Sequence, residues 1–351
     1  MVLIEKNLRK QYGPHGIYAG ATHFRDYWAR DSLFACLGAL AIGDHEQVRK
    51  TLEHFLANLR ADGHVPLRIG ARSEVARYFG LPTRTGAIHA QDKGSNDSVD
   101  GNALLLIVAA EYERKTNKKL DRALLTKTYG WLIKRERNGL LSQGPYACWE
   151  DSIKVSGPRL YTNVCTFAAH NAAAYLFQDL KANKRAALSR SQIQKWWCDD
   201  HFTDGESRDA AIVMTAGNLL AVVWGVANKE QSKKILVRIA NRTSVCPPGG
   251  FFRPTMREVF IPFFFIGLAD YHAKIEWSWL APLEMLAYRT VGNTKELNAR
   301  KKAFDTLVTT FGGVFEVYER NAPVKRWFYR SETNFAWALG VYCLARRMQN
   351  S

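Results

Sequence analysis

Hydrophobic residues along this chain recur every three or four positions, and the strictly alternating runs of half-buried strands are scarce. Amphipathic stretches bounded by capping and stop residues predict twelve helices, at 2–12, 32–42, 45–60, 98–117, 120–136, 161–182, 188–200, 210–226, 229–240, 278–291, 294–311 and 332–348. The connections alternate in length. Even-numbered helices pass to the next through a few residues carrying Gly or Asn, as at Gly43-Asp44, Asn117-Lys118, Asn183, Asn228 and Gly292-Asn293. Odd-numbered helices are followed by long segments, 13–31, 61–97, 137–160, 241–277 and 312–331, with a shorter one at 201–209. In a closed ring of antiparallel helix pairs, this alternation gathers every long connection on one face, where a functional site is expected. Pro247-Pro248-Gly249-Gly250 reads as an ordered turn, and no low-complexity linker interrupts the pattern. The expectation is an all-α chain forming a single domain over residues 1–351.

Composition narrows the class. With 47% hydrophobic residues the chain can bury a large core, yet no apolar run reaches the 18 residues or so of a membrane span. The N-terminal MVLIEKNLRKQYG carries Glu5, Lys6, Arg9 and Lys10 where a secretory signal needs an apolar stretch, so a cytoplasmic location is expected. Six cysteines lie far apart, without a CxxC pair and mostly among apolar neighbours, which reads as reduced core thiols. The nine histidines include no HExxH and no close clamp, so neither a metal nor another cofactor is expected. The net charge of +16 would attract polyanions. Its basic residues, however, are spread in short groups (KNLRK, KTNKKLDR, KANKR, NARKK) without an RGG tract or basic tail, and read as a solvated surface rather than a nucleic-acid footprint. Nothing in the sequence specifies an oligomer.

The long segments carry the candidate chemistry. The first ends in HFRDYWARDSLFA, where Tyr27 and Trp28 offer flat faces of the kind that stack on sugar rings, beside Arg30 and Asp31. Asp31 has an alternative reading as a helix cap. The second ends in SNDSVDGNALL with Ser98 and Asp100, a pair that serves equally as cap and first-turn charge. In the third, Trp149, Glu150 and Asp151 stand together in a segment with glycines and a proline. A carboxyl beside an indole loses solvation, which raises its pKa and suits it to general acid work, although an acidic pair in a loop is as often simply solvated. The fifth places His272, Glu276, Trp277 and Trp279 where the chain enters a helix. The sixth offers Glu316, Glu319 and Glu332; Glu316 follows Gly312-Gly313 on an extended stretch, whereas Glu332 is expected in the first turn of the last helix.

These segments resemble a known family. WARDSLFACLGAL is similar to the W-x-R-D segment of glucoamylases and of the C-terminal glucosidase domain of glycogen debranching enzymes. SNDSVDGNALLLIVAAEY resembles the next family segment, WEDSIKVSG the W-x-D segment, and YHAKIEWSWL the Y-H-x(3)-W/E-W-x-W element. GGVFEVYE followed by ETNFAWALGVYCLA resembles the late motif and final helix shared with neutral invertases. The resemblance spans nearly the whole chain and implies an (α/α)6 barrel, a six-hairpin toroid with its pocket on the long-loop face. It implies an inverting, exo-acting glycoside hydrolase that releases terminal glucose from an α-glucoside. Carried over residue by residue, Asp151 matches the general acid and Glu316 the general base, while Arg30 and Asp31 match the pair that binds hydroxyls of the innermost sugar. Asp100, His272, Glu276 and Trp277 match further pocket positions, and Tyr27, Trp28, Trp149 and Glu150 are expected beside them. The chain departs from the family in lacking the N-terminal β-sandwich of glucoamylases and the transferase domain of debranching enzymes. Val314 and Phe315 also precede Glu316 where relatives often have proline. The expected partner is a small oligosaccharide or glucoside. Alternatives are an invertase- or trehalase-like hydrolase on the same barrel, an anionic glucoside as substrate, or a non-catalytic helical protein binding sugar or nucleic acid.

Overall fold

A computed structural model describes residues 2–22, 24–72, 84–89, 97–205, 212–251, 259 and 261–347. Its helices are α1 (Val2–Arg9), α2 (Ala29–Ala41), α3 (His45–Ala57), α4 (Asp100–Thr116), α5 (Arg122–Arg135), α6 (Leu160–Phe177), α7 (Leu180–Gln194), α8 (Thr215–Val223), α9 (Lys229–Ala240), α10 (Ile261–Phe265), α11 (Leu280–Thr290), α12 (Thr294–Phe311) and α13 (Ala336–Arg347).

Two kinds of helix follow from two kinds of sequence. Helices α4 and α6 are apolar or small nearly all round, and residues 100–110 and 160–170 are buried without a break. Such helices belong inside a protein. By contrast α3 buries only Val48, Thr51, Leu52, Phe55 and Leu56, a single stripe at helical spacing. The inner helices α2, α4, α6, α8, α11 and α13 pack each on the next, and α13 returns to α2, closing a ring. Helices α3, α5, α7, α9 and α12 back the ring, each against the inner helix that precedes it, and α1 packs on α13. This is the (α/α)6 barrel.

Ring closure depends on two small residues. A Cβ on Gly38 of α2 would stand 1.9 Å from the carbonyl oxygen of Gly340 in α13, so these helices meet backbone to backbone. The barrel axis is filled by aromatic rings: Phe34 stacks on Trp337 at 4.9 Å and on Trp224 at 6.4 Å, and Trp279 stacks on Trp337 at 4.0 Å. The interior is thus a packed core with space left at its two ends.

The tight turns lie on one end and are built by caps. Asn117 ends α4 in left-handed backbone, and Asn228 and Gln231 form a reciprocal capping box at the start of α9. One predicted boundary is corrected. The break near Asn183 falls instead at Gln178, which takes a left-handed φ of 52°, followed by Asp179, whose carboxylate caps the Lys181 N–H. The side chain of Asp179 decides the start of α7, and Asn183 sits inside it. Other predicted boundaries shift by several residues: α1 stops at Arg9, α2 begins at Ala29, α3 stops at Ala57, α7 stops at Gln194, α8 begins at Thr215, and α13 begins at Ala336. Residues 210 and 211 of the eighth predicted helix and 348 of the last lie outside the described residues. The short α10 was not predicted, because IPFFF carries no polar face to set a period.

On the opposite end the long segments fold into small antiparallel sheets. Tyr27–Trp28 pairs with Arg68–Ala71, which pairs with Thr85–Ile88. Glu136–Arg137, Leu140–Gln143 and Gly157–Pro158 form a second, and Glu276–Trp277, Val317–Glu319 and Ala322–Pro323 a third. These sheets stiffen the loops that surround the barrel mouth.

Candidate active site

A cavity of about 450 Å³ opens at the barrel mouth, within the range usual for small-ligand sites. It is lined by Arg30, Asp31, Asp151, His272 and Glu316 among aromatic side chains that include Trp28, Trp149, Tyr271, Trp277 and Trp337. Five of the long segments contribute to it.

The first wall is carried by the N-terminal turn of α2. Arg30 is buried and donates through Nε to Asp100 at 2.5 Å, which leaves Nη1 3.7 Å from Asp151. Asp100 also accepts from Ser98 Oγ at 2.8 Å and from the Tyr161 hydroxyl at 3.1 Å. It therefore sits behind the guanidinium and fixes it, and does not line the cavity. Asp31 lines the cavity from the same turn, with burial pushing its carboxyl up to about 7 against the opposing pull of Arg30.

Asp151 has a 31% exposed side chain, open through the cavity. Burial raises it to about 6, with Arg30 working against the shift and Asp100 adding to it. His272 Nε2 stands 3.8 Å from its Oδ1. The His272 ring stacks on Trp277, and burial holds it well below the ordinary histidine range, so it is neutral. The Ser152 peptide N–H points at Nδ1 (3.4 Å), and the Ser152 hydroxyl lies 2.6 Å from the same nitrogen. A peptide N–H can only donate, so Nδ1 is the acceptor and the imidazole proton sits on Nε2, facing Asp151.

Glu316 lines the same cavity from a different long segment. Its peptide N–H donates to the Glu332 carbonyl and its own carbonyl accepts from Ser278, which pins the backbone between two segments. The side chain is 3% exposed; the Tyr271 hydroxyl donates to Oε1 and the Tyr329 hydroxyl to Oε2 at 2.6 Å. Burial pushes Glu316 up to about 8, against the two hydroxyls, which favour the carboxylate.

Four residues expected in the pocket are elsewhere, and two of them share one cause. In extended backbone consecutive side chains point to opposite sides. Trp28 lies opposite Arg68 in register, and both face the cavity, with the Arg68 guanidinium 5.4 Å from the indole. Tyr27 lies opposite Ile69 on the other side, where it stacks on Tyr18 at 4.5 Å. Trp277 faces the cavity, whereas Glu276 turns away and accepts from the Arg320 and Asn321 peptide N–H groups at 2.9 and 3.1 Å, holding a turn. In the bend and turn at 148–152, by contrast, Trp149 and Asp151 face inward, while Glu150 between them is buried beside Cys148 and near Asp204. The fourth is Asp100, described above. Glu332 is also corrected. It precedes α13 and accepts from the peptide N–H groups of Ala21 and Thr22 and from Thr22 Oγ1, tying down the first long segment.

Sequence reasoning missed Arg68, Tyr271 and Tyr329 as site residues. Arg68 stands in the otherwise apolar strand Arg68–Ala71, a signal that was available. Tyr271 adjoins His272 and could have been found by that proximity; Tyr329 lies in WFYR with no distinguishing neighbour.

Among the described residues no group of three or more His, Cys, Asp or Glu is placed to hold a metal ion, and no helix is long and apolar enough to cross a membrane. Cys36, Cys148, Cys165, Cys246 and Cys343 are buried as free thiols, and Cys198 is half-buried.

Residues 4–155 match the family model described as amylo-alpha-1,6-glucosidase. No curated protein sequence matches the chain. Among solved structures, a glycosidase variant in complex with glucose aligns with a TM-score of 0.73 at 15% identity, covering 98% of this chain and 95% of that one. The wild-type glycosidase aligns at 0.71 with 15% identity and the same coverage. A GH63 mannosylglycerate hydrolase from Thermus thermophilus, in complex with Tris and D-glycerate, aligns at 0.69 with 12% identity over 98% of both chains. At these identities the structural likeness is one of fold. Residues 4–155 are thus similar in sequence to amylo-alpha-1,6-glucosidases, and nearly the whole chain is similar in fold to glycosidases.

Proposed function

We propose that the whole chain acts as one cytoplasmic catalytic unit, an inverting glycoside hydrolase that releases terminal glucose from an α-glucoside. One observation carries the reading: Asp151 and Glu316, from separate long segments, line a single aromatic cavity at the barrel mouth. Asp151 gives its proton to the glycosidic oxygen as the bond from C1 to that oxygen breaks. A water attacks C1 from the opposite side and loses a proton to Glu316, so the sugar is released with inverted configuration. Arg30 and Asp31 hold ring hydroxyls, and the indoles exclude bulk water from the reacting atoms. His272 Nε2–H steadies Asp151 after its proton has left.

Asp151→Asn and Glu316→Gln are each expected to lower turnover by roughly 100-fold or more in a folded protein, the usual contribution of general acid or base catalysis. Near-normal hydrolysis by either variant removes that residue from its role. NMR of the first product formed from an α-glucoside should show the β-anomer; the α-anomer rejects direct attack by water.

A second reading exchanges the two roles, and one observation favours it: burial raises Glu316 to about 8 but Asp151 only to about 6, so the proton is held more firmly on Glu316. A leaving group that needs no protonation separates the two assignments. The substrate class is tested by a panel of maltose, isomaltose, sucrose, trehalose and an acidic glucoside. The acidic compound is included because Arg30 and Arg68 both line the cavity and because a structural neighbour is named a mannosylglycerate hydrolase.

A further inference from the structure

At the other end of the barrel, on the face of the tight turns, a second cavity of about 800 Å³ is enclosed by the C-terminal ends of the inner helices. Its floor is apolar, with Leu37, Ile107, Trp224 and Leu286 among the residues that form it, and it also borders Arg289 in the last turn of α11 and Lys115 near the end of α4. Nothing in the glycosidase chemistry uses it.

Arg289 is the unusual feature. Its Nε and Nη1 are buried and meet no protein acceptor, and among the described residues no carboxylate pairs with it. Burial accordingly lowers its pKa, with no acidic neighbour opposing the shift. Lys115, at the same cavity, has no carboxylate partner among the described residues either. The other two charged lining residues, Arg114 and Glu111, pair with one another. Lys115 is exposed and solvated, so Arg289 is the cation whose buried donors stand without compensation beside the apolar floor. The C-terminal dipole of α11 favours a cation in its last turn, but a solvated side chain would serve that purpose equally. It does not account for guanidinium donors buried without partners, which ordinarily destabilise a fold.

We propose that this cavity binds an organic anion: an apolar, preferably aromatic body seated against Trp224 and the aliphatic floor, with its carboxylate or sulfonate on Arg289. Apolar walls with a few fixed polar groups are the usual makeup of a small-ligand site, and an anion on a guanidinium forms the stronger kind of hydrogen bond.

The test uses the full chain and the fluorescent aromatic sulfonate 8-anilinonaphthalene-1-sulfonate, with the uncharged N-phenyl-1-naphthylamine for comparison. The sulfonate should bind saturably at one site per chain, and binding should disappear in Leu37→Trp, which fills the floor. Arg289→Met should weaken it about tenfold or more, the loss of one charge-assisted hydrogen bond, and leave the neutral dye unchanged. Trp327→Ser tests the exposed aromatic tip formed by Trp327 and Phe328, where a dye can adsorb without a cavity. Equal affinity of wild type and Arg289→Met overturns the proposal, as does binding that is lost in Trp327→Ser. Should Arg289→Met fail to fold, wild type decides alone: equal affinity for the charged and neutral dyes overturns the proposal.

Discussion

The two walls of the barrel-mouth cavity bury the same chemical group in opposite company. Asp151 faces a cation and a neutral imidazole N–H, and reaches solvent through the cavity. Glu316 is shut in more completely, and its two oxygens are each taken by a tyrosine hydroxyl. Both carboxyls rise because burial penalises charge, but the nearby guanidinium limits the rise at Asp151 to about 6, whereas neutral hydroxyls leave Glu316 at about 8. Glu316 is also the more deeply buried of the two, and the Asp31 and Glu332 carboxylates push it further up. The local environment therefore does not by itself assign acid and base, and the assignment rests on which step each variant impairs.

The largest effect expected from breaking this comparison uses a glucosyl fluoride, whose leaving group needs no proton. Asp151→Asn, lowered about 100-fold or more on an ordinary glucoside, should recover to within about tenfold of wild type on the fluoride. Glu316→Gln should remain impaired on both substrates, since attacking water still has to lose its proton. Recovery by Glu316→Gln in place of Asp151→Asn would establish the exchanged roles.

Tyr329→Phe should produce the next largest change. Removing the donor on Oε2 destabilises the Glu316 carboxylate by roughly the worth of a hydrogen bond to a charged group, about one pH unit or more. With Glu316 as base, the acidic limb of the kcat/KM profile should move up by about one unit, and activity at neutral pH should fall about tenfold. With Glu316 as acid, the alkaline limb should move up with little loss at neutral pH. An unmoved profile would mean that Tyr329 does not act through Glu316. At Asp151, Ser152→Ala removes the hydroxyl beside His272 Nδ1 but keeps the peptide N–H that sets its tautomer, so a smaller loss of about fivefold in kcat is expected, with KM little changed. A kcat equal to wild type would show that the Ser152 hydroxyl does not act through His272, the peptide N–H alone then holding the ring.

What the sequence made legible follows the same division between charge and orientation. The alternation of long and short connections was enough to gather the long segments, and with them the lined cavity, on one end of the ring, because helix period and stop residues are local properties. The sequence also offered the right segments at the mouth, but not which side chains turn inward. Tyr27, Glu150 and Glu276 each adjoin an inward-facing tryptophan, and only the register of a short strand or turn separates them from it. That register is set by partners forty or more residues away, as when Trp28 pairs with Arg68 and Glu276 with Tyr318. Asp100 failed for another reason: it belongs to the site's chemistry through Arg30, one layer behind the surface, and spacing along the chain does not separate a lining residue from its support. Tyr329 was missed because it reaches Glu316 from the far strand of a hairpin.

The smallest expected effect concerns Glu150, the carboxyl that turns away from the cavity. Burial, together with the nearby Asp204, raises it to about 8. A carboxyl raised on folding binds its proton more tightly in the folded state, so stability falls as pH rises from the unfolded value near 4 to the folded value. Histidines depressed by burial, His54 and His64 to about 4, have the opposite sign and add stability as pH rises from about 4 to 6.5. The two groups oppose each other below pH 6.5. Above it, Asp31, Glu150 and Glu316 remain to titrate, so the melting temperature should decline between pH 6.5 and 8.5. Glu150→Gln removes one of these carboxyls without touching the cavity walls. It should flatten the decline by about 1 °C or more, because one fully titrating group is worth at most about 1.4 kcal/mol per pH unit in a chain of this size. A decline equally steep in Glu150→Gln would show that Glu150 does not retain its proton in the folded state, and would leave the dependence to Asp31 and Glu316 at the cavity.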